Sequence, residues 1–258
     1  MFDFTPALLS GERRKQIRSL KKKKCRLLRR EFILEGQRLI LAALEAGYPV
    51  RDFVVAESFL TAHRQSPFLT QIQSVADLYR VNDRVFSGLS DTTSPSGVLA
   101  VCPRPESSAP DFSQPALYLD QLRDPGNAGT LLRTAAWLGL KTIVASPGSP
   151  DLFQPKVVRG GMGAHFHLNI IENHLPRDFP DRVFLIGADQ QGKPVTDLIL
   201  PERKPWILAV GNEAHGLSEK IRERSDVLAA IPRRGAGESL NVAIAGALLL
   251  WALIRKTV

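Results

Sequence analysis

Residues Ile231–Trp251 read IPRRGAGESLNVAIAGALLLW. The stretch joins a strand end, a basic glycine-bearing loop and a polar Ser-Leu-Asn step into an apolar helix. Gly235 and Gly237 permit φ > 0 and close approach of backbone to a ligand. Ser239 and Asn241 either cap the helix or offer side chains to that ligand. The apolar run Val242–Ile254 has thirteen residues, too few to span a bilayer, and reads as a buried helix.

Upstream of this stretch, apolar strands alternate with helices. Leu117–Leu122, Thr142–Ala145, Val183–Ile186, Ile207–Val210 and Val227–Ile231 are predicted strands; Ala128–Leu138, Leu217–Arg224 and Asn241–Arg255 are predicted helices. Continuous apolar strands between helices predict an α/β fold with a mainly parallel sheet covered on both faces. Polar clusters follow three of the strands, at Arg123–Asn127, Gly211–Glu213 and Pro232–Asn241. Open α/β sheets bind ligands at the carboxyl ends of their strands, so the three clusters point to one shared site. The segment 103–115, PRPESSAPDFSQP, reads as a linker between domains at 1–102 and 116–258. In the first domain a helix over Glu35–Ala46, closed by Gly47, and strands at Phe53–Ala56 and Gly97–Cys102 predict a small α/β unit.

Charge separates the two parts further. The net charge is +8, and residues 1–30 alone carry eleven Lys and Arg against Asp3 and Glu12, a local +9. The body is therefore nearly neutral, and the patch at Arg13–Arg30 is suited to a polyanion, with RNA favoured over a solvated helix face. No large apolar face accompanies these charges, which argues against a membrane surface. Cys25 and Cys102 have no metal-binding or disulfide spacing, which suits a reducing cytoplasm. MFDFTPALLSGERRKQ lacks the order of a secretory signal, because its charges follow its apolar residues.

Three motifs in order carry a resemblance. LDQLRDPGNAGTLLRTAAWLG (Leu119–Gly139) holds a Pro125-Gly126 turn, Asn127 as a candidate helix cap, Gly129 and Arg133-Thr134-Ala135. AVGNEAHGLS (Ala209–Ser218) holds Gly211-Asn212-Glu213 and Gly216-Leu217-Ser218; the third motif holds Ile231-Pro232 and Ser239-Leu240-Asn241-Val242-Ala243. Singly, each is explained by ordinary helix capping. Together they resemble the SpoU (TrmH) family of RNA ribose 2′-O-methyltransferases of the SPOUT superfamily. REFILEGQRLILAALEAG (Arg30–Gly47) resembles the L30e-like substrate-binding domain of rRNA-modifying members.

The resemblance implies a C-terminal domain with a deep trefoil knot holding S-adenosylmethionine, with cofactor contacts at Gly211, Ile231 and Leu240 and near Gly187–Asp189. It implies a homodimer whose site is completed across the interface, with no metal and no membrane. Catalytic roles would fall on Arg133, Asn127, Glu213, Ser239 and Asn241: Arg133 at the reacting hydroxyl, Asn127 positioning Arg133 or the ribose, Glu213 orienting Arg133 or a loop. The substrate would be RNA, with 23S rRNA favoured; a tRNA 2′-O-methyltransferase and a non-catalytic RNA-binding or ribosome-assembly protein are the alternatives. One departure stands out in RGGMGAHF (Arg159–Phe166), where Gly161 occupies a position at which many relatives have Ser.

Overall fold

The computed structural model describes residues 6–106, 108–202 and 204–256. The first five residues of the stretch read against a secretory signal lie outside them. The chain divides into two compact units, Met1–Glu106 with Phe153–Arg159, and Ser107–Leu152 with Gly160–Val258.

The first unit is built on a five-stranded mixed sheet. Its elements run β1 (Ala7–Leu8), α1 (Gly11–Ser19), α2 (Lys23–Arg29), β2 (Glu31–Glu35), α3 (Gln37–Glu45), β3 (Asp52–Ala56), α4 (Glu57–Ala62), α5 (Pro67–Gln73), β4 (Asp77–Val81), α6 (Asp83–Leu89) and β5 (Val98–Pro103). The strand order is β1-β4-β3-β5-β2, with β5 antiparallel to both β2 and β3. Helix α3 is shorter than the predicted Glu35–Ala46, because Glu35 ends strand β2 and Gly36, at φ 100°, turns the chain before the helix begins. Ile17, Leu20, Phe32, Phe53 and Phe86 are buried around this sheet. Ser10, Ser66 and Asn82 each cap a following helix by accepting a backbone N–H three residues on.

The second unit holds six strands, all parallel, in the order β11-β9-β10-β6-β7-β8. Its elements are β6 (Ala116–Leu119), α7 (Pro125–Trp137), β7 (Thr142–Ala145), α8 (Pro155–Gly161), β8 (Asn169–Glu172), β9 (Phe184–Pro194), β10 (Trp206–Val210), α9 (Glu219–Arg224), β11 (Val227–Ala230) and α10 (Val242–Ile254); the first part of α8 belongs to the other unit. The five predicted strands are present, and β8 is added. NIIE has only Ile170 and Ile171 between polar Asn169 and Glu172, too short an apolar run to mark a buried strand. Strand β9 runs past its predicted end because it breaks and resumes. Leu228 pairs with Gly187 but Ala229 pairs with Lys193, so residues 188–192 bulge out of the ladder.

The proline-rich segment is not slack throughout. Phe112 is buried with Phe179, Tyr118 and Val144, and Thr142 Oγ1 donates to the Asp111 carbonyl at 3.0 Å. These contacts fasten the end of the segment to the sheet before β6 starts. Helix α10 is buried on one face only: Ala243, Gly246, Leu249, Leu250 and Leu253 are covered, while Ile244, Leu248 and Trp251 are exposed. The reading of a wholly buried helix therefore needs correction. A run apolar all round has no moment to tell its two faces apart in sequence.

Candidate active site

Helix α7 starts earlier than its predicted Ala128. Asp124 is the cap: its Oδ1 accepts the N–H of Asn127 at 2.9 Å, and Pro125 occupies the first helical position, where a missing N–H costs nothing. Pro125 and Gly126 are thus the first turn of the helix rather than a turn before it, and Asn127 is not the cap. This frees the Asn127 side chain. Its Nδ2 donates to Glu213 Oε1 at 2.9 Å, and its Oδ1 accepts from Asn241 Nδ2 at 3.0 Å.

Glu213 lies in the turn after β10. Gly211 must be glycine here, since a Cβ would stand 2.2 Å from the Gly216 carbonyl carbon; Asn212 and Gly216 exchange both backbone hydrogen bonds across the turn. The Glu213 carboxylate accepts three N–H donors: the backbone of Arg123 and of Asp124, each at 3.0 Å, and the Asn127 side chain. Partial burial pushes its pKa up, but the hydrogen bonds from Asn127, Asp124 and Arg123 outweigh this and carry it below the usual Glu value. The neighbouring Asn212 donates from Nδ2 to the Gln121 carbonyl at 2.8 Å. Gln121 has φ 52° and donates its own N–H to Ser146 Oγ at 2.7 Å. Asp120, buried at the end of β6, accepts the Ser218 N–H at 2.6 Å.

Asn241 closes the set. Its Oδ1 accepts from Ala243 and Ile244 and caps α10, while its Nδ2 reaches Asn127. A single side chain therefore does both things that its sequence position suggested. Glu213, Asn127 and Asn241, one from each motif and far apart in sequence, form one hydrogen-bonded chain at the carboxyl edge of the parallel sheet.

Other predicted residues are not joined to that chain. Arg133 is exposed on α7, and its side chain has no hydrogen bond or ion pair among the described residues. Six residues of helix place it about 9 Å further along the axis than Asn127 and roughly 120° around it. Glu213 holds the loop and Asn127, not Arg133. Ser239 is exposed and also without such a partner, and Leu240 is half exposed. The loop from Arg233 to Leu240 is open. Arg233 folds back so that its Nε and Nη1 donate to the carbonyls of Gly235 and Gly237, at 3.0 and 2.7 Å. Among the described residues, no backbone N–H from Arg234 to Leu240 has a protein partner. Such a loop is free to meet a polar ligand with its backbone. Sequence reasoning missed Asp120, Asn212 and Gln121, whose roles depend on pairings across some 90 residues.

The segment around Gly161 is resolved by its neighbour. A Cβ on Gly161 would sit 2.8 Å from His165 Cε1 and 2.9 Å from Nδ1, so the imidazole occupies the space a side chain would need. His165 is buried, and its Nε2 lies 2.7 Å from the Leu152 carbonyl. Burial lowers its pKa to about 4, against smaller upward effects of the Leu152 carbonyl and Asp151.

The basic patch of the first unit also divides. Arg13 pairs with Glu31 and Asp52; Lys21 donates to the carbonyls of Gly88 and Ser90; buried Arg26 donates to those of Leu20 and Lys21; Arg30 pairs with Glu106. These four are structural. The remaining seven, Arg14, Lys15, Arg18, Lys22, Lys23, Lys24 and Arg29, are exposed, and their side chains have no hydrogen bond or ion pair among the described residues. Among the described residues no cluster of His, Cys, Asp and Glu could hold a metal, and no helix is long and apolar enough to cross a membrane.

A parallel sheet with an open backbone loop at its carboxyl edge suits a polar ligand, and the free cations of the first unit suit a polyanion. Residues 114–251 match the SpoU rRNA Methylase family, and residues 12–100 match the MRM3-like substrate binding domain. The chain belongs to the SpoU rRNA methylase family and is an RNA methyltransferase. It is 31% identical over 245 residues to the 23S rRNA (guanosine(2553)-2′-O)-methyltransferase RlmP of Bacillus subtilis, covering 93% of this chain and 94% of RlmP. A putative TrmH-family RNA methyltransferase from Porphyromonas gingivalis superposes with a TM-score of 0.82 at 32% identity, covering 97% of this chain and all of that one. The SpoU methyltransferase AviRb of Streptomyces viridochromogenes, solved with the cofactor AdoMet, gives a TM-score of 0.83 at 25% identity over 96% and 98% of the two chains.

Proposed function

We propose that the protein transfers a methyl group from S-adenosylmethionine to a ribose 2′-hydroxyl of 23S rRNA. The observation that carries this reading is the Glu213–Asn127–Asn241 chain, which ties the three motifs into one edge of the sheet. The substrates of RlmP and the cofactor bound by AviRb support it. The loop with unpartnered backbone between Arg234 and Leu240 fits a cofactor held mainly by main-chain groups. Residues at Ile231 and Leu240 would hold it together with Gly211 and the bulge beginning after Gly187. S-Adenosylmethionine supplies a methyl carbon on a sulfonium, which is already an activated leaving group, so the chemistry calls for no metal.

The chain's own task is to align the 2′-oxygen and to manage its proton. Arg133 acts as an electrostatic clamp: its guanidinium holds the phosphate beside the target ribose and stabilises negative charge as it develops on the oxygen. The proton leaves to that phosphate or to water. Glu213 fixes the turn at Arg123–Asp124 and the amide of Asn127, which sets the ribose-facing surface of α7. Ser239 and Asn241 shape the other wall.

The enzyme works as a homodimer, and Arg133 completes the partner's site. The exposure and free guanidinium of Arg133 support this, as does the apolar surface beside it. Trp137 on α7 is 89% exposed, and Ile244, Leu248 and Trp251 line the open face of α10, the helix packed against α7. The C-terminal strands are knotted. The return of β11 to pair with β9, on the far side from β10, supports that topology. The compartment is the cytoplasm, in keeping with the unpaired Cys25 and Cys102.

The test uses methyl-labelled S-adenosylmethionine and ribosomal RNA from cells lacking the protein. The parent enzyme is expected to label one ribose. Arg133→Ala is expected to lose at least about a hundredfold in rate, the usual cost of removing a charge-stabilising donor, while cofactor binding by calorimetry is kept. Near-normal turnover by that variant removes Arg133 from the mechanism.

A further inference from the structure

We propose that the cleft between α1 and α2 seats an unpaired RNA base carrying an exocyclic amino group, with its flanking phosphates on the free cations around it. The inference rests on the reading of the protein as an RNA methyltransferase and adds a recognition site in the first unit. The cleft has a volume of about 330 Å³ and is lined by Glu12, Lys15, Gln16, Ser19, Cys25, Leu28 and Arg29.

Three observations point to this occupant. The first is charge: Lys15 and Arg29 stand on the rim, and Arg14, Arg18 and Lys22–Lys24 are exposed on the same two helices or the turn joining them, none with a protein partner among the described residues. The second is apolar surface out of place. Leu28 is 79% exposed and Leu27 is 49% exposed on α2, between Lys24 and Arg29. An exposed leucine amid cations does not serve a duplex, whose bases are hidden, but it does serve the face of a splayed base, the usual target in single-stranded RNA. The third is Glu12. Glu12 lies in the first turn of α1, where the helix dipole favours an acid, and it places a carboxylate on the rim among the cations. Its Oε1 accepts from Gln16 Nε2 at 3.1 Å, and the acceptor positions left over suit the amino group of cytosine, adenine or guanine.

Cys25 provides the readout. It lines the cleft and is partly exposed, whereas Cys102, the other cysteine, is buried. Burial also raises the Cys102 thiol well above its ordinary pKa, so alkylation of the folded full-length protein reports on Cys25. The experiment follows iodoacetamide modification of Cys25 in the presence of oligocytidylate of about ten nucleotides, a length typical of single-strand sites. The expected result is roughly tenfold protection by oligocytidylate, less by oligouridylate, and little by blunt duplex RNA. Leu28→Ala is expected to weaken oligocytidylate binding roughly five- to tenfold without changing its salt dependence, whereas Lys15→Ala and Arg29→Ala should each lower the salt slope by about one. Leu28 is too exposed for its truncation to unfold the chain.

Unprotected Cys25 at saturating oligocytidylate, equal protection by duplex, or equal protection by anionic phospholipid vesicles would each overturn the proposal. Equal protection by oligouridylate would overturn the role of Glu12. Methylation assays on the same variants separate the two readings. If ribosomal RNA is methylated and Leu28→Ala leaves its KM unchanged, the cleft inference alone fails. If no RNA is methylated by the parent protein, the functional reading fails instead.

Discussion

Replacing Gly161 by Ser, the residue that the family resemblance implies at this position, is a change this chain is expected to reject. The new Cβ would lie 2.8 and 2.9 Å from two atoms of the His165 ring, which is buried and held by the Leu152 carbonyl. The ring cannot swing aside without giving up that hydrogen bond, so the overpacking should cost about 1–3 kcal/mol. His165→Ala alone should cost about 2–4 kcal/mol, because it opens a cavity and leaves the Leu152 carbonyl without its donor. The double variant should be more stable than the sum of the two losses by about 1–2 kcal/mol, since the added side chain then enters vacated space. Urea unfolding of the four proteins measures this. Additivity within about 0.5 kcal/mol would refute the reasoning. A pH series gives an independent check. His165 has a folded pKa of about 4 against an ordinary 6.5, so below pH 6.5 the unfolded chain binds the proton more readily. Its contribution is fully present above pH 6.5 and is lost as the pH falls toward about 4. At about 1.4 kcal/mol per pH unit the loss is roughly 3 kcal/mol. The His165→Ala variant should lack that part of the acid sensitivity, and parallel pH curves for the two proteins would count against it.

Glu213→Gln replaces one acceptor oxygen by an amide that must face either the Arg123 N–H or the Asp124 N–H and Asn127 amide. The mismatch of about 1–3 kcal/mol should appear as a ten- to hundredfold fall in kcat/KM for RNA, and a parental value would remove Glu213 from the positioning of α7. Because the Glu213 pKa is held below its ordinary value, activity should not titrate through this group near neutrality; an activity midpoint that shifts in Glu213→Gln would contradict that. Trp251→Asp, on the exposed face of α10, should convert the proposed dimer to a monomer by sedimentation and lose methylation while keeping the fold; a dimer that survives the change places the interface elsewhere.

Much of the second unit was legible because its strands are continuous apolar runs between capped helices, a pattern that specifies parallel pairing locally. Thr142–Ala145 and Ile207–Val210 needed no knowledge of their neighbours. What escaped was whatever depended on distant partners. Asn127 has the chemistry of a helix cap, and sequence offers no means of knowing that Asp124 takes that position until Pro125 is seen as the first helical residue. Once Asp124 caps the helix, the Asn127 amide is free to bridge Glu213 and Asn241, and three ordinary capping motifs become one assembly. The basic patch shows the same limit in reverse. Eleven positive charges looked alike in sequence, but Arg13, Lys21, Arg26 and Arg30 are consumed by carboxylates and carbonyls of the fold.

The position of Arg133 carries the remaining argument. If Glu213 or Asn127 had held its guanidinium, one chain would contain a finished site, and the exposed Trp137, Ile244, Leu248 and Trp251 would serve no catalytic purpose. Instead the chain that links the motifs ends at Asn241, and Arg133 projects from another side of α7 with no protein partner among the described residues. An exposed arginine without a partner costs nothing in water, whereas one buried without an anion would be expensive. On the proposed dimer, this charge is held ready for a second subunit's site and an RNA phosphate. A heterodimer of one Arg133→Ala chain and one Glu213→Gln chain tests that division of labour. If each site draws Arg133 from one subunit and Glu213 from the other, each heterodimer has one intact site, so isolated heterodimer should reach about half the parental activity and an equal, fully exchanged mixture about a quarter by subunit counting. No recovery on mixing would mean that both residues serve the same subunit's site.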